Sequence, residues 1–214
     1  MKYIIMCGGV YSNFETPKQL SVVNGEVLVE RTIRLLKEEG ITDINISSNN
    51  EIFEKYAPVL YHTNSYKYEG GKVSGYWVDA YYPTNEPVVY LHGDVYFSKE
   101  AIHKIVDYVA SENTFIGNEV ARNKAHNNWG EPFGYIVVDQ KKFRKGIEEV
   151  KNLQDEGKLE RGYALSWELY RVLNGLDPNK MFIYDTTYLS INDFTDDIDA
   201  PFRIEEMNKK LRIK

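Results

Sequence analysis

Apolar residues cluster in short runs along the chain, and these runs have the patterns of β-strands. Residues 3–7 and 87–92 are largely continuous apolar runs that end at a glycine, as strands buried on both faces do. Residues 42–48 alternate apolar and polar positions, which is the period of a strand. Three shorter strands are predicted at residues 135–138, 181–184 and 188–191.

Between these strands, apolar residues recur at intervals of three and four, which predicts helices. One helix is predicted at residues 27–39, and Ser98 and Asp139 lie where they would cap the N-termini of two more. Two further helices are predicted at residues 165–173 and 203–211. The apolar face of the helix after Ser98 is expected to consist of Ile102, Ile105, Val106 and Val109.

Strands that alternate with helices indicate an α/β protein with three α/β/α layers, in which helices cover both faces of a mostly parallel sheet. In such sheets, ligands bind beyond the carboxyl ends of the strands. Gly8, Ser48 and Asp94 each lie at or just after the end of a predicted strand. We therefore expect the functional site at this edge of the sheet.

Charge and cysteine content narrow the classes of function. The net charge of −6 argues against nucleic acid or a membrane surface as the main partner, because both select for basic patches. The single cysteine, Cys7, excludes an internal disulfide and suits a reducing compartment. No apolar segment approaches the roughly 20 residues of a membrane span, so a cytoplasmic protein is expected.

The loop after the first strand has features of a phosphate-binding loop. Gly8 and Gly9 let the backbone approach a ligand and direct N–H groups at phosphate oxygens. Lys18, which follows Pro17, would supply a positive charge and, as a loop residue, is expected to contribute little to packing. A glycine-containing turn followed by a solvated lysine fits this spacing equally well, because one glycine-rich loop is a weak signal.

Two acidic segments could bind a cation. Asp94 follows the strand at residues 87–92 in the sequence LHGDVYF, and a group of aspartates precedes the last helix. Mg²⁺ prefers one or two carboxylates together with substrate phosphates. The alternatives are that Asp94 caps its own turn and that the later aspartates form a solvated loop. These later aspartates are Asp193, Asp196, Asp197 and Asp199.

In this order, the segments resemble the nucleotidyltransferase superfamily with the GT-A-like, Rossmann-related fold. Its members include sugar-phosphate nucleotidyltransferases and phosphocholine-type cytidylyltransferases. The family's strand, glycine loop, Pro-Lys and helix are similar to IIMCGGVYSNFETPKQLSVVNGEVLVERTIRLLKEEG. LHGDVYF resembles its metal-binding aspartate at a strand end, and DDIDAPFRIEEM resembles its late Asp-x-Asp-(Thr/Ala)-Pro element.

The resemblance implies an enzyme that needs Mg²⁺ and an NTP, with CTP favoured. It would transfer the nucleoside monophosphate to a phosphorylated small molecule or sugar phosphate and release pyrophosphate, for surface polysaccharide or related precursors. It also implies one domain, with a nucleotide-binding part at about residues 1–110, an acceptor-binding part at about 111–195 and a metal loop and helix at 196–214. A homodimer stays open.

The resemblance assigns roles to individual residues. Lys18 would contact the phosphates during transfer, and Asp94 and Asp199 would hold Mg²⁺ with Asp197 beside them. The nucleotide would be bound by Gly8, Gly9, Asn13, Ser48, Asn49, Ser74 and Gly75. From their residue types rather than from the resemblance, Arg122 and Lys124 could bind an acceptor phosphate, and Trp129 and Glu131 could shape its pocket. A surface hairpin with a buried tryptophan fits this segment equally well.

One departure concerns an arginine that many members of the superfamily carry within the glycine loop. Asn13 or Phe14 occupies that region here. The usual contact with the triphosphate must then come from another basic residue. Lys72, Arg122 and Lys124 are the candidates.

Two other functions compete with this interpretation. A GT-A glycosyltransferase would use a similar nucleotide site, but such enzymes carry Asp-x-Asp at the mid-chain strand end and lack the Pro-Lys loop. A non-catalytic domain that binds a nucleotide sugar and regulates a partner would not need Lys18, Asp94 and Asp199 together. The nucleotidyltransferase is therefore the favoured prediction.

Overall fold

The computed structural model describes residues 1–8, 14–69, 72–118, 130–180 and 187–212. Its centre is a sheet of seven strands, numbered here in chain order. From one edge to the other they are β12 (Tyr188–Ser190), β10 (Thr114–Gly117), β11 (Pro132–Val137), β8 (Val88–His92), β1 (Lys2–Met6), β4 (Ile44–Ser48) and β5 (Val59–Tyr61). The predicted strand at 181–184 lies outside the described residues.

The sheet is mostly parallel, as the sequence predicts. β11 runs antiparallel to both of its neighbours, β8 and β10. The other neighbouring pairs are parallel. The carboxyl ends of β1, β4 and β8 therefore meet at one edge, where the site is expected.

Helices cover both faces of the sheet. The helices are α1 (Leu28–Glu38), α2 (Lys99–Asp107), α3 (Gln140–Asp155), α4 (Ser166–Leu173) and α5 (Pro201–Arg212). Both predicted caps are confirmed: the Ser98 hydroxyl accepts from the N–H of Ala101 at 2.8 Å, and the Asp139 carboxylate accepts from that of Lys142 at 2.8 Å. Among the described residues, none of these helices is long and apolar enough to span a membrane.

The continuous apolar runs are explained by burial on both faces. In β1, Tyr3 and Ile5 belong to the core cluster that includes residues of α1 and α2. Ile4 and Met6 belong to the opposite cluster, with residues of α3 and α4. Successive side chains of a strand point to opposite faces, so both faces need apolar residues.

The helix after Ser98 is shorter than predicted. It ends at Asp107, and Tyr108 adopts an extended backbone conformation, so the helical spacing no longer applies. Val109 is consequently 92% exposed rather than part of the apolar face. Two strands of the sheet, β5 and β10, are also missing from the sequence prediction, because each has only three or four residues.

A short two-stranded ribbon lies outside the main sheet. It consists of β9 (Val95–Tyr96), directly after Asp94, and β13 (Asp196–Asp197), which run antiparallel. A second short ribbon is formed by β2 (Val22–Val23) and β3 (Glu26–Val27), and a third by β6 (Lys67–Glu69) and β7 (Lys72–Ser74). The first two ribbons pack with α1 and α5 in a third core cluster, which contains Val23, Leu28, Tyr96, Ile198 and Met207.

Candidate active site

The ends of the two central strands approach each other closely at Gly93. Its N–H donates to the carbonyl oxygen of Met6 at 3.0 Å. A Cβ atom at Gly93 would lie 2.7 Å from both Cys7 Sγ and the Met6 oxygen, so this position has no room for a side chain. Asp94 follows directly and is held beside the end of β1.

The β9–β13 ribbon brings the late acidic segment to the same place. Asp197 is the partner of Val95 in the ribbon. The N–H of Ile198 donates to the carbonyl oxygen of Asp94 at 2.9 Å. Asp199 therefore lies next to Asp94, although 105 positions separate them in the sequence.

Lys18 lies between these two aspartates. Its Nζ atom is 2.5 Å from Asp94 Oδ2 and 2.8 Å from Asp199 Oδ1. The two carboxylate oxygens can thus be no further apart than the sum of these distances. The side chains of Lys18 and Asp94 are 14% and 19% exposed, whereas that of Asp199 is 65% exposed, so Lys18 is a mostly buried ion-pair partner rather than the solvated lysine of the alternative interpretation.

The other aspartates of the late segment have different roles. Asp193 accepts hydrogen bonds from the Ser98 hydroxyl and from the N–H of Thr195, and so fixes this segment to the start of α2. Asp196 pairs with Lys210 of α5 at 3.0 Å. Asp197 lines the same cavity as Asp199. The late acidic segment is thus a fixed part of the fold instead of a solvated loop.

Glu131 adds a further carboxyl group to this region. Burial, together with the charges of Asp199 and Asp196, raises the pKa of Glu131 to about 7. Burial and the nearby Asp199 and Glu131 likewise raise the pKa of Asp197 well above its usual range. Asp94, Asp197, Asp199 and Glu131 together are called the carboxylate cluster below.

Lys18 and Asp199 stay ionised in this cluster. Burial would lower the pKa of Lys18, but the charges of Asp94 and Asp199 outweigh it and raise this pKa above its usual range. Burial would raise the pKa of Asp199, but a hydrogen bond with Asp197 and the charge of Lys18 outweigh it, and the pKa is lowered. One ammonium thus balances only part of the negative charge of the cluster.

Two adjoining pockets open on either side of Lys18 and Asp94. The Tyr66 pocket, of about 230 Å³, is lined on its own side by Met6, Gly8, Gln19, Asn64, Tyr66, Ala80 and Tyr163. The Trp167 pocket, of about 310 Å³, is lined on its own side by Gly130, Glu131, Pro132, Arg161, Ser166, Trp167, Asp197 and Asp199. Both are lined by Lys18, Trp77, His92, Asp94 and Leu165. Two molecules bound in the two pockets, one in each, would therefore both reach Lys18.

His92 forms part of the wall that the two pockets share. Its ring packs edge-on against Trp77, with the centroids 5.5 Å apart, and its Nε2 atom is 3.5 Å from the Ser166 hydroxyl. Burial lowers the pKa of His92, which keeps the ring neutral near pH 7. His92 therefore contributes a neutral, polar ring to the pocket wall beside the charged Lys18 and Asp94.

The residues that the sequence predicts to bind the nucleotide do not all line the two pockets. Gly8 lines the Tyr66 pocket. The Ser48 hydroxyl donates to the carbonyl oxygen of Cys7 at 3.1 Å and so supports the end of β1, while Asn49 is exposed. Ser74 and Gly75 are not among the described residues that line either pocket. Gly9 and Asn13 lie outside the described residues.

Gly75 has a structural role of its own. Its φ angle is +69°, and a Cβ atom there would lie 2.1 Å from the carbonyl oxygen of Ser65. Its own carbonyl oxygen accepts a hydrogen bond from Gln154 at 2.9 Å. Close packing against Ser65 is a sufficient reason for glycine here.

Among the acceptor residues, Glu131 lines the Trp167 pocket. Arg122, Lys124 and Trp129 lie outside the described residues. Several lining residues were missed in the sequence, because no local pattern shows which side chains packing brings to a pocket. They are Asn64, Tyr66, Trp77, His92, Arg161, Tyr163 and Trp167. Most come from connecting segments, whereas His92 ends β8 and Trp167 lies in α4. The many aromatic residues around positions 61–82 were the available signal.

The raised pKa of Glu131 predicts a pH-dependent cost in stability. Between about pH 4.5 and pH 7 the unfolded chain ionises this glutamate while the folded protein keeps its proton, so the free energy of unfolding falls as pH rises through this window. Glu131→Gln cannot ionise. We expect it to be more stable than wild type by at most about 3 kcal/mol above pH 7 and equally stable below pH 4.5.

Thermal unfolding between pH 4 and pH 8 without divalent cations would measure this difference. Glu148→Gln is the matched control, because the Glu148 side chain is 70% exposed and its replacement should change the free energy of unfolding by less than about 0.5 kcal/mol. A stability difference for Glu131→Gln that stays constant with pH would contradict the prediction.

The carboxylate cluster fits a divalent cation by its chemistry. Asp94 and Asp199 offer the hard oxygen ligands that Mg²⁺ prefers, and the mutual repulsion of the four carboxyl groups would be relieved by a cation. Within the described parts of the chain, no group of three or more histidine, cysteine or acidic side chains is arranged to hold a metal. Two protein carboxylates completed by substrate phosphates and water are a common Mg²⁺ site.

Comparison with protein families gives a match over most of this chain. The family described as the MobA-like NTP transferase domain matches residues 3–166, well over half of the chain. Comparison with curated proteins finds no match.

Solved structures with the same fold cover nearly the whole chain. The 4-diphosphocytidyl-2C-methyl-D-erythritol synthase from Anaerococcus prevotii has a TM-score of 0.60 and 14% identity, over 99% of this chain and 97% of its own. The inositol-1-phosphate CTP transferase from T. maritima has a TM-score of 0.59 and 13% identity, over 99% and 96%.

A protein from Bacillus anthracis, assigned as a glucose-1-phosphate thymidylyltransferase, has a TM-score of 0.56 and 17% identity, over 99% of this chain and 95% of its own. At these identities the likeness shows the fold alone. The predicted fold class is thereby confirmed.

Proposed function

The chain belongs to the family of MobA-like NTP transferase domains, and we propose that it transfers a nucleoside monophosphate from an NTP to a phosphorylated small molecule. The observation that carries this proposal is the position of Lys18. Its ammonium contacts two aspartates from distant segments, at the place where two pockets adjoin. A group-transfer enzyme needs such a junction, with one substrate on each side.

In this proposal the Tyr66 pocket takes the nucleotide and the Trp167 pocket takes the acceptor. Gly8 lies at the end of β1 on the nucleotide side, and among the described residues nothing lies within 4 Å of where its Cβ atom would be, so this position leaves space for a ligand. Glu131 and Trp167 lie on the acceptor side. The division into a nucleotide part at about residues 1–110 and an acceptor part at about 111–195 stays part of this proposal, with Tyr163 also placed on the nucleotide side.

The residues suggest how the transfer proceeds. An oxygen of the acceptor phosphate attacks the α-phosphorus of the NTP in line, and pyrophosphate leaves. Lys18 would donate hydrogen bonds to the phosphate oxygens as charge develops on them. The acceptor phosphate is already an anionic nucleophile, so no side chain has to remove a proton from it.

Mg²⁺ is the cofactor that the carboxylate cluster would bind, through Asp94 and Asp199. When bound, it supplies positive charge that neutralises the phosphate oxygens. The cation would also let the neighbouring carboxyl of Asp197 ionise, because the repulsion that raises its pKa would be reduced.

CTP is the proposed nucleotide. Two of the similar structures carry names that refer to cytidyl transfer or to CTP, whereas the third is assigned as a thymidylyltransferase. The fold is therefore compatible with more than one base. The product would be an activated precursor, for a surface polysaccharide or a related product.

The proposal predicts pyrophosphate release only when an NTP, Mg²⁺ and a phosphorylated acceptor are all present. A pyrophosphate assay with each NTP and a panel of sugar phosphates and other phosphomonoesters would measure it, with CTP expected to give the highest kcat/KM. The controls are the same acceptors without their phosphate and reactions that contain a chelator. Transfer of a sugar from a nucleotide sugar, without pyrophosphate release, would identify a glycosyltransferase instead.

A further inference from the structure

Arg161 lies on the wall of the Trp167 pocket, in the segment that connects α3 to α4. Neither the sequence motifs nor the family match gives it a role. Besides Lys18, it is the basic residue among the described residues that line this pocket. Its side chain is 27% exposed, so it is accessible without being fully solvated.

The backbone around Arg161 is held firmly in place. The N–H of Glu160 donates to the Asn179 side chain at 2.8 Å, and the N–H of Gly162 donates to the carbonyl oxygen of Leu159 at 2.8 Å. Leu159 and Ala164 are buried in the core on either side of this turn. The turn therefore fixes the position from which the Arg161 side chain extends.

Glu168 and Tyr163 are neighbours of the guanidinium group. Its Nε atom is 3.9 Å from Oε1 of Glu168, and its carbon lies 5.8 Å from the centre of the Tyr163 ring. Glu168 is a buried residue in the first turn of α4, and its other carboxylate oxygen accepts from the N–H of Leu165 at 2.8 Å.

The charges around the Trp167 pocket explain why a basic residue at position 161 would help a phosphate to bind. The same pocket is also lined by Glu131, Asp197 and Asp199, and the ionised Asp199 carboxylate repels an incoming phosphate. Lys18 is already engaged with Asp94 and Asp199. A phosphorylated acceptor entering this pocket therefore needs a second positive group, and an arginine fork matches phosphate geometry.

We propose that Arg161 binds the phosphate of the acceptor and makes the Trp167 pocket selective for phosphomonoesters. The inference rests on the proposed function, because it takes this pocket to be the acceptor site. Trp167 and Leu165, beside Arg161, then contact the carbon part of the acceptor. The alternative ligand of Arg161 is a phosphate of the NTP. Loss of a contact with the acceptor raises the KM for the acceptor, whereas loss of a contact with the NTP raises the KM for the NTP.

Steady-state kinetics of Arg161→Ala and Arg161→Lys would test this. We expect Arg161→Ala to raise the acceptor KM by roughly 10- to 100-fold, the effect of losing a charge-assisted contact, with the NTP KM close to wild type. Arg161→Lys keeps the charge and should recover part of the loss. Lys158→Ala is the matched control, since Lys158 is on the same connection but 63% exposed and paired with Glu156.

Two results would overturn the proposal: a raised KM for the NTP with an unchanged KM for the acceptor, and unchanged values for both. Isothermal titration calorimetry with acceptor phosphomonoesters and with inorganic phosphate distinguishes failure of the Arg161 proposal from failure of the proposed function. If wild type transfers no nucleotide to any acceptor, the proposed function fails, yet phosphate binding that is lost in Arg161→Ala still supports a phosphate site. Equal binding by wild type and Arg161→Ala overturns that site.

Discussion

Replacement of Asp94 by asparagine should lower Mg²⁺-dependent pyrophosphate release by about 10³-fold or more. The amide removes one of the two charged ligands that the carboxylate cluster offers to the cation. Metal ions contribute several kcal/mol to stabilising charge in the transition state, and each 1.36 kcal/mol corresponds to a factor of ten in rate. Measurement of kcat/KM over a range of Mg²⁺ concentrations would test this, and Asp199→Asn should behave in the same way.

Thermal stability distinguishes this effect from damage to the fold. In Asp94→Asn, Lys18 keeps its contact with Asp199, and one charge leaves a crowded group of carboxylates. The melting temperature should therefore be nearly unchanged or slightly higher. Asp196→Asn is the matched control, because Asp196 is in the same ribbon but pairs with Lys210. If Asp94→Asn keeps most of the wild-type activity, Asp94 is not a metal ligand.

Lys18→Ala is expected to reduce kcat/KM by about 10²-fold or more. The loss of one preorganised positive group at a transition state costs roughly 3 kcal/mol. Lys99→Ala is a suitable control, because the Lys99 side chain is 67% exposed and lies on α2. A Lys18→Ala enzyme with a rate near wild type would exclude this lysine from the chemistry.

The structure adds a stability effect to this prediction. Removal of Lys18 leaves Asp94 and Asp199 without the ammonium that lies between them, next to Asp197 and Glu131. The variant should therefore unfold at a lower temperature than wild type at neutral pH, by a few degrees. Added Mg²⁺ should restore much of this loss, since a cation between the carboxylates would replace the missing charge. Absence of any Mg²⁺ effect on the melting curve would argue against the metal site.

The sequence alone determined the fold class and the elements that carry strong periodicity. β1 and β8 were recognisable because strands buried on both faces need apolar residues at every position. The starts of α2 and α3 were recognisable because a cap is a local interaction between a side chain and the next turn. Short strands such as β10 were missed, because they owe their conformation to pairing with neighbouring strands.

The sequence also identified Lys18, Asp94 and Asp199 as residues to consider together, through their order in a motif series. It could not give their geometry. The prediction relied on parallel strand ends meeting at one edge, whereas Asp199 reaches Asp94 through the β9–β13 ribbon. That ribbon has only two residues on each strand, and no local pattern in the sequence specifies such a pairing.

Only the tertiary structure decided how the charges interact. That Lys18 contacts both aspartates, and that Glu131 joins Asp197 and Asp199 in one pocket, depends on contacts between segments far apart in the sequence. Burial and the distances between charges set pKa values, and neither can be read from a linear sequence. The sequence therefore gives the residue types, whereas packing sets the pKa values of these groups and places Arg161 on the wall of the Trp167 pocket.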